Sequence, residues 1–103
     1  MHEFRGGIRI GDSSCNAINY SYPFAKVVFT EKALQLSIGG FFLKKRYFLP
    51  YCAITGVSLK KGIVCRGILI KHQLNHLPEF IVFWTGRYKR FLEECKKYSI
   101  PIH

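Results

Sequence analysis

The sequence predicts a mainly antiparallel β body, α+β by content, closed by a single C-terminal helix. Three observations carry that expectation. Short apolar segments alternate with polar residues from Tyr20 to Trp84, with turn residues between them. The period then changes: Tyr88, Phe91, Leu92, Cys95 and Tyr98 fall at i, i+3, i+4, i+7 and i+10, which is one helical face. Between positions 32 and 78 there is no acidic residue, yet Lys32, Lys44, Lys45, Arg46, Lys60, Lys61, Arg66 and Lys71 all lie there. That is a basic surface laid over strands.

The elements follow in order. Residues 1–19 read as a loosely structured or short-strand segment. Gly6-Gly7 and Gly11-Asp12-Ser13-Ser14 are turn chemistry around a short strand at Ile8-Arg9-Ile10. Residues 24–30 carry Val27, Val28 and Phe29, good strand formers. Glu31-Lys32 makes a tight turn. Leu34, Leu36 and Ile38 alternate with Gln35 and Ser37, giving one buried and one wet face. Gly39-Gly40 suits a two-residue hairpin turn, because both glycines can take positive φ. Residues 41–49 form the return strand, whose Lys44-Lys45-Arg46 also protects a sheet edge.

Pro50-Tyr51 breaks that strand. Residues 54–59 form the next, and Lys60-Lys61-Gly62 turns the chain. Residues 67–73 place Ile68, Ile70 and His72 on one face and Leu69 and Lys71 on the other. In 79–84, Phe80, Val82 and Trp84 alternate with Ile81 and Phe83, so both faces are covered. Thr85 is the expected helix N-cap. Lys96 and Lys97 suit the C-terminal end of the dipole. Glu93 and Lys97 form an i,i+4 pair worth ~0.3 kcal/mol. Glu93 and Glu94 diverge by about 100° and are expected on the solvated side. Ser99 and Pro101 end the helix.

With 103 residues the chain fits one domain, 1–103. A domain of this size buries roughly 60–70% of its unfolded surface and needs no staples. Hydrophobic residues make up 49%, which argues against disorder. No apolar run approaches the ~20 residues that span a bilayer, and the N-terminus lacks a signal-peptide layout. The chain therefore reads as soluble and cytoplasmic. Its four cysteines, Cys15, Cys52, Cys65 and Cys95, form no CxxC pair, so they read as free thiols packed as small hydrophobes.

At this point the residues resemble a known family over about 20–102. The segments are Asn19-Tyr20-Ser21-Tyr22-Pro23-Phe24-Ala25, Leu34-Gln35-Leu36-Ser37 and Leu49-Pro50-Tyr51-Cys52-Ala53-Ile54 leading to Val57. They continue with Gly67-Ile68-Leu69-Ile70-Lys71-His72, Pro78-Glu79-Phe80-Ile81-Val82-Phe83-Trp84 and the helix. Their order and spacing resemble the pleckstrin-homology (PH) superfold in its small bacterial and GRAM-like forms, some carried on integron-type mobile gene cassettes. The resemblance implies a PH-like, partly open barrel of six or seven antiparallel strands with a helix over one end. It also implies a binding scaffold rather than an enzyme. Lipid-binding members carry basic residues at the first hairpin. Here that turn, Thr30-Glu31-Lys32, is short, and the basic triplet lies further along the chain.

Catalytic chemistry finds no footing. There is no G-x-S-x-G, and Cys65 and His72 have no spacing that favours a Cys–His pair. The carboxylates are Glu3, Asp12, Glu31, Glu79, Glu93 and Glu94, with no pair suited to acid–base work. No phosphate loop is present. His72 and His76 sit at a strand end and in a loop, not on one helical face, so no metal or other cofactor is expected.

Net charge is +10, which draws anions. The sequence therefore points to a noncatalytic binding or adaptor domain whose basic surface meets an acidic protein segment or an anionic membrane face. The candidate residues are Lys44, Lys45, Arg46, Lys60, Lys61, Arg66, Arg87, Lys89 and Arg90. The last three crowd the first turns of the helix with no acid among them, where free backbone N–H groups add to their pull on anions. A strand edge is a second route to a partner chain or a second copy, with Pro50 blunting one edge. The alternative is a nucleic-acid-binding module whose affinity falls steeply with salt. Phe41 or Phe42, Tyr47 and Tyr51 are the rings not assigned to the core, and RNP-type motifs are missing.

Overall fold

Alternation along the strands decides the body of the molecule. The computed structural model describes residues 2–13, 15–39, 44–61 and 66–103. In chain order the elements are β1 (His2–Gly11), β2 (Ala17–Phe29), β3 (Ala33–Ile38), β4 (Lys45–Pro50) and a 3₁₀ turn (Tyr51–Ala53). They continue with β5 (Ile54–Lys61), β6 (Arg66–His72), β7 (Phe80–Trp84) and α1 (Tyr88–Lys97). All seven strands join one sheet in the order β4-β3-β2-β1-β7-β6-β5, every neighbouring pair antiparallel. The sheet curls into a half-barrel, with α1 at the C-terminal end of the chain. The predicted fold class is therefore present. α1 is too short and polar to cross a membrane.

The N-terminal segment departs from expectation. Residues 2–11 are not loose: they form β1, ten residues long, at the centre of the sheet between β2 and β7. Phe4, Ile8 and Ile10 are buried while Glu3 and Arg5 are exposed. Gly6-Gly7, read as a turn, lies inside this strand at a break in register with β2.

Of the two turns expected around β3, one holds and one differs. Glu31-Lys32 does turn the chain: the Thr30 N–H donates to the Ala33 carbonyl at 3.0 Å, and the Ala33 N–H donates to Thr30 Oγ1 at 3.1 Å. Gly39-Gly40 is not a two-residue hairpin. Ile38 pairs with Lys45, so residues 39–44 separate the strands and β4 begins at Lys45 rather than Phe41. Gly39 has φ 127°, a conformation that L side chains rarely adopt. Residues 40–43, with the expectations placed on Phe41 and Phe42, lie outside the described residues. β5 runs through Lys61, and the turn expected at Gly62 also falls outside them.

The helix packs a cluster of rings. Phe91 lies 5.3 Å from Phe4, 5.0 Å from Phe29 and 5.7 Å from Phe83, ring centre to ring centre. Tyr98 stacks on Tyr51 at 4.5 Å, and the Tyr51 hydroxyl donates to the Thr30 carbonyl at 2.6 Å. The helix and its C-cap residue thus tie the middle strands of the sheet to the β2–β3 turn.

The helix corrects three further expectations. The N-cap position is Arg87, not Thr85; Thr85 Oγ1 instead accepts the Arg87 N–H at 3.3 Å. At the C-terminal end Ser99 takes φ 59° while the Ile100 N–H reaches the Cys95 carbonyl at 3.0 Å, a Schellman-type stop with serine in the usual glycine place. Glu94, expected in solvent, is 1% exposed. It lies three residues after Phe91 and four before Tyr98, squarely on the packed face. Lys97 Nζ reaches in from the surface to donate to Glu94 Oε1 at 3.0 Å. That i,i+3 pair takes the place of the expected Glu93–Lys97 pair.

Cys95 is fully buried, whereas Cys15 and Cys52 are exposed. Burial first, and the Glu94 charge second, push the Cys95 thiol up from 9.0 to about 12. The same causes, with Tyr98 and Cys95 as neighbours, push the Tyr51 phenol up. In the unfolded chain the thiol ionises near its ordinary value; in the fold it stays neutral. Stability present below pH 9 is therefore lost as pH rises from about 9 towards 12. Urea unfolding from pH 8 to 11 should show this decline, and Cys95→Ala should lessen it, leaving the part that Tyr51 supplies above pH 10. At pH 8 a thiol reagent followed by mass spectrometry should label Cys15 and Cys52 at once and Cys95 only on unfolding.

Candidate anion-binding face

The strand register assembles a basic row that the linear sequence hides. Arg5 pairs with Lys26, Lys26 with Ser37, and Ser37 with Arg46. Paired residues point to the same side, so these four form one line across β1, β2, β3 and β4 on the convex face. At ~4.8 Å per strand the line is about 14 Å long. The next row out holds Phe24, Gly39 and Lys44. Ser37 and Gly39 are small, so the long cations around them border a notch of about 180 Å³, with Phe24 on its wall.

The electrostatics of this row are unfavourable on their own. Arg5 and Lys26 are like charges directly opposite each other, which destabilises a strand pair. One acid answers both: Glu3 Oε1 lies 3.6 Å from Arg5 Nη2 and 3.6 Å from Lys26 Nζ. Glu3 is half in water, so this relief is small. Among the described residues Lys44 and Arg46 form no ion pair. Two exposed rings flank the cations, Phe24 at 43% and Phe48 at 55%.

The predicted residues divide. Lys44 and Arg46 line the notch. Lys45 pairs with buried Ile38 and falls on the other side of β4, outside it. Lys60 belongs to the opposite half of the sheet, its ammonium 5.5 Å from the Phe80 ring centre. Lys61 and Arg66 close the β5–β6 ladder as a pair. Arg87 lies beside Arg5 and Glu3, its guanidinium 5.4 Å over the Phe4 ring. Lys89 and Arg90 are exposed on α1. The prediction missed Arg5 and Lys26. Arg5 sat in a segment not read as a strand, and Lys26 is flanked by apolar residues; only register brings them to Arg46.

His72 is occupied within the fold. Its Nδ1 accepts the Leu74 N–H at 3.1 Å, so Nε2 carries the proton and donates to the Pro78 carbonyl at 2.8 Å. Among the described residues no three His, Cys, Asp or Glu side chains converge on a metal position. No family model, curated protein or solved structure matches this chain.

The two outer edges of the sheet are unlike. At β5, the Val57 N–H donates to the Pro101 carbonyl and the His103 N–H to the Val57 carbonyl, both at 2.8 Å. Residues 101–103 thus cover that edge at Val57, with Ile102 bridged in parallel. β4, at the other edge, pairs only with β3 among the described residues.

Proposed function

We propose that this chain is a PH-like, noncatalytic binding module whose convex β1–β4 face takes an acidic partner: an acidic protein segment or an anionic membrane face. The observation that carries the reading is the cross-strand line Arg5–Lys26–Ser37–Arg46, like charges held together with one shared acid. The protein segment is the better supported of the two, because the β4 edge beside the line, unpaired among the described residues, offers its backbone to an extended chain. A second reading, single-stranded nucleic acid, draws on exposed Phe24 and Phe48 next to the cations, since bases stack on such rings.

The test uses labelled poly-glutamate, phosphatidylserine vesicles and a labelled oligonucleotide at low and physiological salt. Lys26→Glu with Arg46→Glu should weaken poly-glutamate or vesicle binding about 30-fold or more, while Lys60→Glu changes it less than twofold. Preferential binding of the oligonucleotide, lost in Phe48→Ala, would move the assignment to the second reading. No binding of any probe at low salt would sink both.

A further inference from the structure

β1 and β2 lose register at Gly6–Gly7. Gly6 faces Ala25 and Ile8 faces Tyr20, so residues 21–24 of β2 stand against Gly7 alone and bow outward. Neither glycine can fill the gap. A Cβ on Gly6 would collide with the Trp84 carbonyl, and one on Gly7 would sit 3.0 Å from the Tyr20 carbonyl oxygen. The opening is a cleft of about 430 Å³ walled by Ile8, Tyr20, Tyr22 and Trp84. A second hollow of about 540 Å³ carries Glu3, Arg5 and Arg87. The two share Tyr22, Thr85 and Gly86 and so adjoin, the halves of one two-part cleft on either side of these residues.

The cleft has two chemically distinct ends. One is aromatic and apolar. The other sets two guanidinium groups against a single carboxylate, with Arg87 held over the Phe4 ring. Tyr22 is 70% exposed, a large ring left in water at the junction of the two ends. Each hollow is in the size range of small-molecule sites, and an apolar wall with a few convergent polar groups is their usual make-up.

We propose that this cleft binds a small amphipathic anion: an aromatic or short aliphatic body against Tyr20, Tyr22 and Trp84, with its carboxylate, sulfonate or phosphate at Arg87 and Arg5. The site is separate from the acidic-partner face, although Arg5 borders both. The specificity follows from the two ends. A neutral apolar body gains only the aromatic wall, whereas an anion of the same size also gains charge-assisted hydrogen bonds to guanidinium.

Trp84 is the single tryptophan of the chain and lines the cleft, so its fluorescence reports occupancy directly. The probes are 1-anilinonaphthalene-8-sulfonate and its neutral relative N-phenyl-1-naphthylamine, each titrated into the full chain. Both should quench Trp84 saturably at one site, the anion more tightly. Tyr22→Ala should weaken both about tenfold. Arg87→Gln should weaken the sulfonate about fivefold and leave the neutral probe within twofold. Both replaced side chains lie at the surface, and circular dichroism checks that the variants fold. In the unaltered chain, the amide NMR signals of Gly7, Thr85 and Gly86 should shift with either probe. Absence of saturable quenching, or probe affinities unchanged in Tyr22→Ala, would overturn the proposal. So would loss of sulfonate binding in Lys26→Glu with Arg46→Glu, which would place the anion in the basic notch instead.

Discussion

Gly6→Ala should cost the fold roughly 3 kcal/mol or more, on the order of 15 °C in melting temperature for a domain of this size. The added methyl would lie inside the radius of the Trp84 carbonyl oxygen and within 3.3 Å of the Phe83 ring. Backbone cannot rotate away as a flexible side chain can. β1 and β7 would have to part where Gly7 pairs with Trp84, at the centre of the sheet. The strain would reach two things at once: the Phe83 contact with Phe91, and the cleft between the bowed β2 and the end of β7. Gly86→Ala is the matched control. Its Cβ meets nothing within 4 Å, so stability should change by less than about 0.5 kcal/mol. Urea and thermal unfolding of the two variants, followed by Trp84 fluorescence and circular dichroism, measure the difference. A Gly6→Ala loss below about 1 kcal/mol would mean that the strands have room to part, and the account of the bulge would fall.

That glycine pair also marks where sequence reasoning stopped. β2, β3, β5, β6, β7 and α1 are legible because their apolar positions keep a period of 2 or 3.6 long enough to be recognised. β1 carries the same alternation in Phe4, Ile8 and Ile10, but two glycines interrupt it. A pair of glycines reads locally as a turn; here it answers a close approach from β7, more than seventy residues further along. The longer 39–44 connection hides for a related reason, since the register of Ile38 with Lys45 is a cross-strand fact. Glu94 is different. Its position relative to Phe91 and Tyr98 was in the sequence, and its charge masked it: a buried carboxylate is expected only where a partner reaches it, and Lys97 does. The basic line was half legible. Lys44 and Arg46 stand out in a cationic triplet, but strand alternation sends Lys45 the other way, and Arg5 and Lys26 join only through pairing.

Phe91→Ala should destabilise the protein by about 3–5 kcal/mol, the range for emptying a fully buried aromatic site. Phe91 has no exposure, and its ring contacts Phe4 of β1, Phe29 of β2 and Phe83 of β7. The Phe4 and Phe29 pairs are edge-to-face and add a contribution beyond area alone. The site has little means of collapse, because its neighbours come from three adjacent strands whose spacing the ladder fixes. α1 is a ten-residue helix without a side-chain N-cap, too short to be stable in isolation. Its docking must therefore come from its packed face, led by this ring and by Tyr98 on Tyr51, with Cys95 buried between them. Two readouts separate loss of docking from general weakening. Cys95, on the packed face of the helix, should become reactive to thiol reagents at denaturant concentrations where the strands still show their circular dichroism. The line Arg5–Lys26–Arg46 lies on the other side of the sheet, so the folded fraction of Phe91→Ala should bind an acidic probe within about twofold of the unaltered chain. If Cys95 instead stays protected until the strands melt, helix and sheet unfold as one unit, and the ring cluster is the core of the domain rather than the seat of a lid.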